Sequence, residues 1–233
     1  MDAITKTKPQ LTIDVVSDVV CPWCFVGKRR LEKAIALRPD LDAEVRWHPF
    51  FLNPWVPREG IDRETYLKTK FGSVERYNDI SKRITTAGAE EQIPFALDKI
   101  KRQPNTIDCH RLIHWARLEG DASAVKERLM VLYFIEGADL SDPEVLVRAG
   151  IDCGMDGALV RRLLASDADV EGVEAEAKRA SDSGISGVPC FILSGMLAIS
   201  GAQAPADLAD AMGRAVQEYG VRTRAESAAS VPQ

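Results

Sequence analysis

The residues with the plainest chemical capacity are two cysteines three apart, in Cys21-Pro22-Trp23-Cys24. Such a pair can close a reversible disulfide, or it can supply half of a tetrahedral zinc site. Zinc needs two more ligands. The chain has no second C-x-x-C, and its other donors are Cys109, Cys153, Cys190 and three histidines spread along the sequence. His110 and His114 stand four apart on a helical segment, a spacing that can place two imidazoles on one metal. The apolar stripe of that segment is Cys109, Leu112, Ile113 and Ala116, which leaves the histidines toward solvent or a cleft. A purely structural disulfide gains little by closing so short a loop. The spacing therefore points to thiol–disulfide exchange with no bound metal.

Exchange needs one activated sulfur, and the elements around the pair show how it arises. Residues Leu11 to Val16 alternate and are rich in β-branched side chains, so they predict a strand. After Pro22 the apolar period changes to that of a helix, with Cys24, Gly27, Leu31, Ala34 and Ile35 on one stripe. Lys28, Arg29, Arg30, Glu32 and Lys33 fill the other face, which predicts a helix over 24–37. Cys21 then falls at the helix cap and Pro22 at the first helical position, where a missing N–H costs nothing. Free backbone N–H groups and the positive end of the helix dipole stabilise a Cys21 thiolate. Cys21 is predicted as the exposed attacking sulfur, and Cys24, half-buried on the stripe, as the resolving one. Trp23 offers an apolar stacking surface beside them.

A second strand is predicted at Glu44–His48, running into a turn-rich segment around Asn53. From 58 to 177 only helix-period segments are found and no strand. Beyond the run Val170–Ala180, the segments Val188–Leu193 and Met196–Ser200 flank Ser194-Gly195 as a hairpin, followed by a helix with Leu208, Ala211, Met212, Ala215, Val216 and Tyr219 on one stripe. The tail 221–233 has no periodicity and is predicted to fray. Strand, helix, strand, helical block, hairpin and helix together predict an α/β fold: a mixed four-stranded sheet with an all-helical insertion. Its bounds are 11–57 and 178–220 for the sheet domain and 58–177 for the insertion. Pro189 opens a predicted strand, where a cis peptide would turn the Val188 backbone toward the cysteine pair and leave it free to pair with an extended substrate.

Composition narrows the function classes. Among 233 residues, 45% are hydrophobic and 28% charged, ordinary values for a globular chain. A net charge of -5 gives no electrostatic reason to bind nucleic acid or an anionic membrane. No run of about 18 uncharged apolar residues suggests a membrane span. The first twenty residues are broken by Asp14, Ser17 and Asp18 and do not read as a secretory signal, so a cytoplasmic location is expected. There, persistent thiol pairs tend to be catalytic.

The segments Asp14–Leu31, Pro49-Phe50-Phe51-Leu52-Asn53-Pro54, Pro104-Asn105-Thr106, His110-Arg111-Leu112, Gly184–Pro189 and Ser200-Gly201-Ala202-Gln203 resemble the DsbA-like branch of the thioredoxin superfamily, and within it the FrnE-type subgroup. The resemblance runs from about 11 to 219. It implies a thioredoxin fold with an inserted helical domain, a cis peptide before Pro189, and thiol–disulfide oxidoreductase activity at Cys21 and Cys24. It further implies that Asn53, Asn105, Thr106 and His110, with Trp23, Val188 and Pro189, line the substrate cleft. Disulfide-containing proteins or thiols are the implied substrates. No tightly bound cofactor is implied, and glutathione is a candidate co-substrate. Family members often carry the label 2-hydroxychromene-2-carboxylate isomerase. Those isomerases and the kappa-class glutathione transferases usually have a serine in place of the first cysteine, so the intact pair favours redox chemistry over a glutathione-dependent isomerase or transferase. A redox-regulated holdase is the other alternative. Cys190 stands where the family usually has an aromatic residue, and Cys109 where it usually has a small one. A buried core role is favoured for Cys190 over that of a third redox sulfur, and Cys109 and Cys153 are predicted core thiols. Oligomeric state is left open.

Overall fold

The computed structural model describes residues 8–119 and 121–219. The tail 221–233 lies outside them. The chain opens with β1 (Gln10–Ser17), α1 (Pro22–Ala36) and β2 (Asp42–Pro49), and closes with β5 (Cys190–Leu193), β6 (Leu197–Ser200) and α9 (Pro205–Tyr219). These strands form one mixed sheet in the order β2-β1-β5-β6. β1 and β2 are parallel, in the register Ile13↔Val45, as a helical crossover through α1 requires. β5 runs antiparallel to β1 and pairs with β6 in the register Leu193↔Leu197, through a three-residue turn in which Ser194 and Gly195 both have positive φ.

Alternation gives the sheet two different faces. Leu11, Ile13 and Val15 of β1 and Phe191 and Leu193 of β5 are buried on the face covered by α1 and α9. Each such side chain contributes about 1.5–3 kcal/mol on leaving water. The opposite face presents Asp14, Val16, Cys190 and Ile192. The stripe predicted for α1 is the buried one at Cys24, Gly27, Leu31 and Ala34. Lys28, predicted on the polar face, is also buried, because it reaches Glu127 at 3.0 Å on a neighbouring helix.

Between β2 and β5 lie α2 (Arg63–Phe71), α3 (Val74–Glu90), α4 (Ile107–Glu119), α5 (Ala122–Val131), α6 (Pro143–Asp152), α7 (Gly157–Leu164) and α8 (Val170–Asp182). A 3₁₀ turn at Leu97–Lys99 and a π-helical turn at Leu132–Glu136 interrupt them. The prediction that 58–177 holds no strand is corrected: β3 (Ile61–Asp62) and β4 (Arg102–Gln103) form a short antiparallel ladder. Two residues per strand carry no alternation that a sequence pattern could register. No helix among the described residues is long and apolar enough to cross a membrane.

Candidate functional site

Cys21 caps α1 in extended conformation (φ -94°, ψ 112°), with Pro22 in the first turn. Its carbonyl accepts from the N–H groups of Cys24 (3.0 Å) and Phe25 (3.3 Å), which starts the helix. Across the cleft the peptide between Val188 and Pro189 is cis, and the Val188 carbonyl oxygen lies 3.6 Å from Cys21 Sγ. Gly27 explains how the helix and this loop come so close. A Cβ there would stand 2.8 Å from Pro189 Cγ and 3.2 Å from the Phe191 ring, so no larger residue fits without displacing one of them.

The prediction of an exposed Cys21 is corrected. Cys21 is 4% exposed and Cys24 only 1%, and both sulfurs are free thiols. The Val188–Pro189 loop covers the first, and the second points into the core. Their surroundings drive them in opposite directions. A hydrogen bond from the Cys24 thiol, against the cost of burial, with further help from the Cys24 and Trp23 N–H groups, lowers the pKa of Cys21. Burial, together with the neighbouring Cys21 sulfur, holds Cys24 well above the ordinary thiol range. One sulfur is thus biased toward the thiolate and the other toward the thiol.

Beneath the pair sits a carboxylate that sequence patterns did not single out. Asp18 is completely buried in the loop between β1 and α1. Its oxygens take the Leu52 N–H at 2.9 Å and His110 Nε2 at 3.3 Å. Burial alone would raise its pKa. The His110 hydrogen bond and charge, the Leu52 N–H and the charge of Lys126 outweigh that and hold it below the usual carboxylate value. His110 was predicted to face solvent or the cleft. It is instead 4% exposed, edge-on to Phe51, and burial pulls it toward the neutral form. His114 is half-buried on the same helix, and among the described residues no group of three or more potential ligands forms a metal site.

The other predicted cleft residues divide. Asn53 is buried and accepts hydrogen bonds from Tyr66 (3.3 Å) and from Lys70, whose ammonium also donates to the Leu52 carbonyl at 3.2 Å. Burial lowers the Lys70 pKa, against the pull of the Asp18 and Cys21 charges. Trp23 is half-buried against the core beside the pair. Asn105 works locally: its amide donates to the Val56 carbonyl at 2.7 Å and its oxygen caps the Ile107 N–H at 2.9 Å. It borders a cavity of about 570 Å³ shared with Phe51, Arg58 and Lys178, while Thr106 is buried at the start of α4. Both residues serve the turn into α4, where the Asn105 oxygen takes the Ile107 N–H and the Thr106 carbonyl takes the His110 N–H. Cys190 is 2% exposed on the sheet face away from α1, hydrogen-bonded to Ser200. Cys109 is fully buried, whereas Cys153, predicted in the core, is half-buried at the end of α6, where the helix stops short of the interior.

The DSBA-like thioredoxin domain family matches residues 12–213. The chain belongs to this family. A protein of Streptomyces coelicolor described as a probable DsbA oxidoreductase is 31% identical, with a TM-score of 0.82 over 89% of this chain and 91% of that one. Two more distant structures share the fold. The cytosolic disulfide reductase DsbM of Pseudomonas aeruginosa, solved with glutathione, has a TM-score of 0.63 at 19% identity over 88% of this chain and 99% of its own. A 2-hydroxychromene-2-carboxylate isomerase has 0.66 at 18%, over 89% and 97%. In this DsbA-like chain the thioredoxin sheet and α1 supply the two cysteines and the Val188–Pro189 loop. The helices between β2 and β5 supply His110, Lys70 and Lys126.

Proposed function

We propose that this DsbA-like protein is a thiol–disulfide oxidoreductase acting through the Cys21/Cys24 dithiol–disulfide couple. The Cys21 thiolate attacks one sulfur of a substrate disulfide and expels the other half as a thiolate that takes up a proton. Cys24 then gives up its proton and attacks Cys21, closing the intramolecular disulfide and releasing the second substrate half as a thiol. The reverse sequence oxidises a dithiol substrate. Proteins or small thiols bearing disulfides are the substrates, with glutathione as a co-substrate, and the cytosol as the setting.

The observation that carries this reading is the opposite bias of two sulfurs held together at a helix N-terminus: Cys21 stabilised as thiolate, Cys24 kept protonated. The Val188 carbonyl, 3.6 Å from the Cys21 sulfur, supports the placement of a substrate backbone along that loop. The test is turnover of a protein disulfide with dithiothreitol as reductant. Cys21→Ser abolishes it, and Cys24→Ser accumulates a mixed disulfide at Cys21. Wild-type turnover in Cys21→Ser would overturn the proposal.

A further inference from the structure

Lys126 on α5 is completely buried, yet its ammonium has no hydrogen-bond partner among the described residues. It lies 5.2 Å over the face of the Trp47 ring. A buried unpaired ammonium costs several kcal/mol unless nearby negative charge compensates it. The groups that can do so are those of the cysteine site. The charges that act on Lys126 are those of Cys24 in the first turn of α1, of Asp18 and Cys21 in the segment before it, and of Cys109 on α4, with His110 bonded to Asp18. An enclosed space of about 10 Å³ beside the lysine is bordered by His48 of β2, by His110, His114 and Arg117 of α4, and by Glu176 of α8, so Lys126 shares it with the histidine that bonds Asp18. That volume holds at most one water.

Asp18 is already engaged by His110 and the Leu52 N–H. Negative charge that appears on Cys24 during exchange is therefore met by the buried Lys126 ammonium, which no hydrogen bond among the described residues commits elsewhere. We propose that Lys126 is the charge partner of the cysteine pair: its ammonium stabilises the Cys24 thiolate formed as the mixed disulfide is resolved, and it shifts the couple toward the dithiol. This deepens the oxidoreductase reading and rests on it. Atoms and electrons balance without Lys126 changing covalently. The Cys24 thiol loses its proton, its sulfur bonds to Cys21 Sγ, the Cys21–substrate S–S bond breaks, and the departing substrate sulfur takes a proton. Lys126 acts through Cys24, so it is a positioning residue of electrostatic kind. Burial brings its pKa down to about 8, with the Cys24, Asp18, Cys21 and Cys109 charges pulling the other way, so its charge responds to the state of the sulfurs.

The first test is Lys126→Met, which keeps the stem and removes the charge. A mixed disulfide between Cys21 and glutathione, formed in stopped-flow, is expected to resolve at least tenfold more slowly at neutral pH. The pH at half-maximal resolution rate moves up, and the Cys21/Cys24 couple becomes more reducing. A folded variant with an unmoved pH profile and potential overturns the proposal, because a purely structural lysine would change stability alone. The second test needs no variant. In the native protein, NMR titration of the assigned Lys126 side chain gives a lower midpoint with the pair oxidised than with it reduced, since oxidation removes sulfur charge. Equal midpoints overturn the charge partnership and leave the oxidoreductase reading intact. If oxidised glutathione fails to close a Cys21–Cys24 disulfide at all, both proposals fall together.

Discussion

Two histidines in this molecule sit against carboxylates, and their pKa values are driven in opposite directions. His110, in the interior beneath the cysteines, shares Asp18 with the Leu52 N–H and is drawn toward the neutral form because burial outweighs its single acidic partner. His48, on β2, bonds Asp14 at 2.8 Å and Glu176 at 2.7 Å while partly open to solvent. Those two hydrogen bonds outweigh desolvation and raise its pKa to about 9. The parts are the same; the number of carboxylates and the access of water decide the outcome. His48 ties α8 to the sheet, and His110 with the Leu52 N–H holds Asp18 below the usual carboxylate range beside the sulfurs. The two histidines border one small enclosed space, yet His48 holds a helix to the sheet while His110 holds the carboxylate beneath the cysteines.

The largest effect that would break this comparison is at Asp18. Asp18→Ala removes the fixed anion of the interior and leaves Lys126 buried without it, so unfolding by urea near neutral pH should show a loss of about 3–5 kcal/mol. A loss below 1 kcal/mol would mean that the interior charges are not coupled as described.

The elements that place Asp18 were legible from sequence. β1, α1, β2 and the hairpin at Ser194-Gly195 each follow from local period and turn chemistry. Cys21 as helix cap with Pro22 behind it was legible for the same reason. What the pattern could not carry was anything set by long-range packing. Asp18 reads as a strand-ending acid, and Lys126 as one more lysine in a helix, until a 92-residue separation closes to bring His110 onto Asp18. Cys21 looked exposed because helix caps usually are, and only the Val188–Pro189 loop, held close by Gly27, covers it. Lys28 and His110 were misplaced because a helix packed on two sides buries residues off its main stripe.

The rim side of the comparison is next in size. His48→Leu leaves Asp14 and Glu176 without the cation between them and should cost about 1–2 kcal/mol at pH 6, allowing for solvent screening of a partly exposed group. The sign of its pH dependence follows from the raised folded-state pKa. The stabilisation is fully present below the unfolded histidine value of about 6.5 and is lost as pH rises through about 9. Urea midpoints of wild type and His48→Leu should therefore converge above pH 9. Parallel curves across that range would show that His48 is not protonated in the fold.

The smallest effect has the opposite slope. His110 is depressed in the folded state, so the unfolded chain binds its proton first, and stability should decline as pH falls below about 6.5. His110→Asn should flatten that limb, read from urea midpoints between pH 5 and 7. A limb unchanged by the substitution would place its origin in other groups.

The central claim is the asymmetry of the two sulfurs. It is tested most directly by alkylating the reduced protein with iodoacetamide across a pH series and mapping the modified cysteine by mass. The account predicts that Cys21 reacts with a midpoint below the ordinary thiol value while Cys24 stays unmodified throughout that range. Equal reactivity of the two, or modification of Cys24 first, would contradict it.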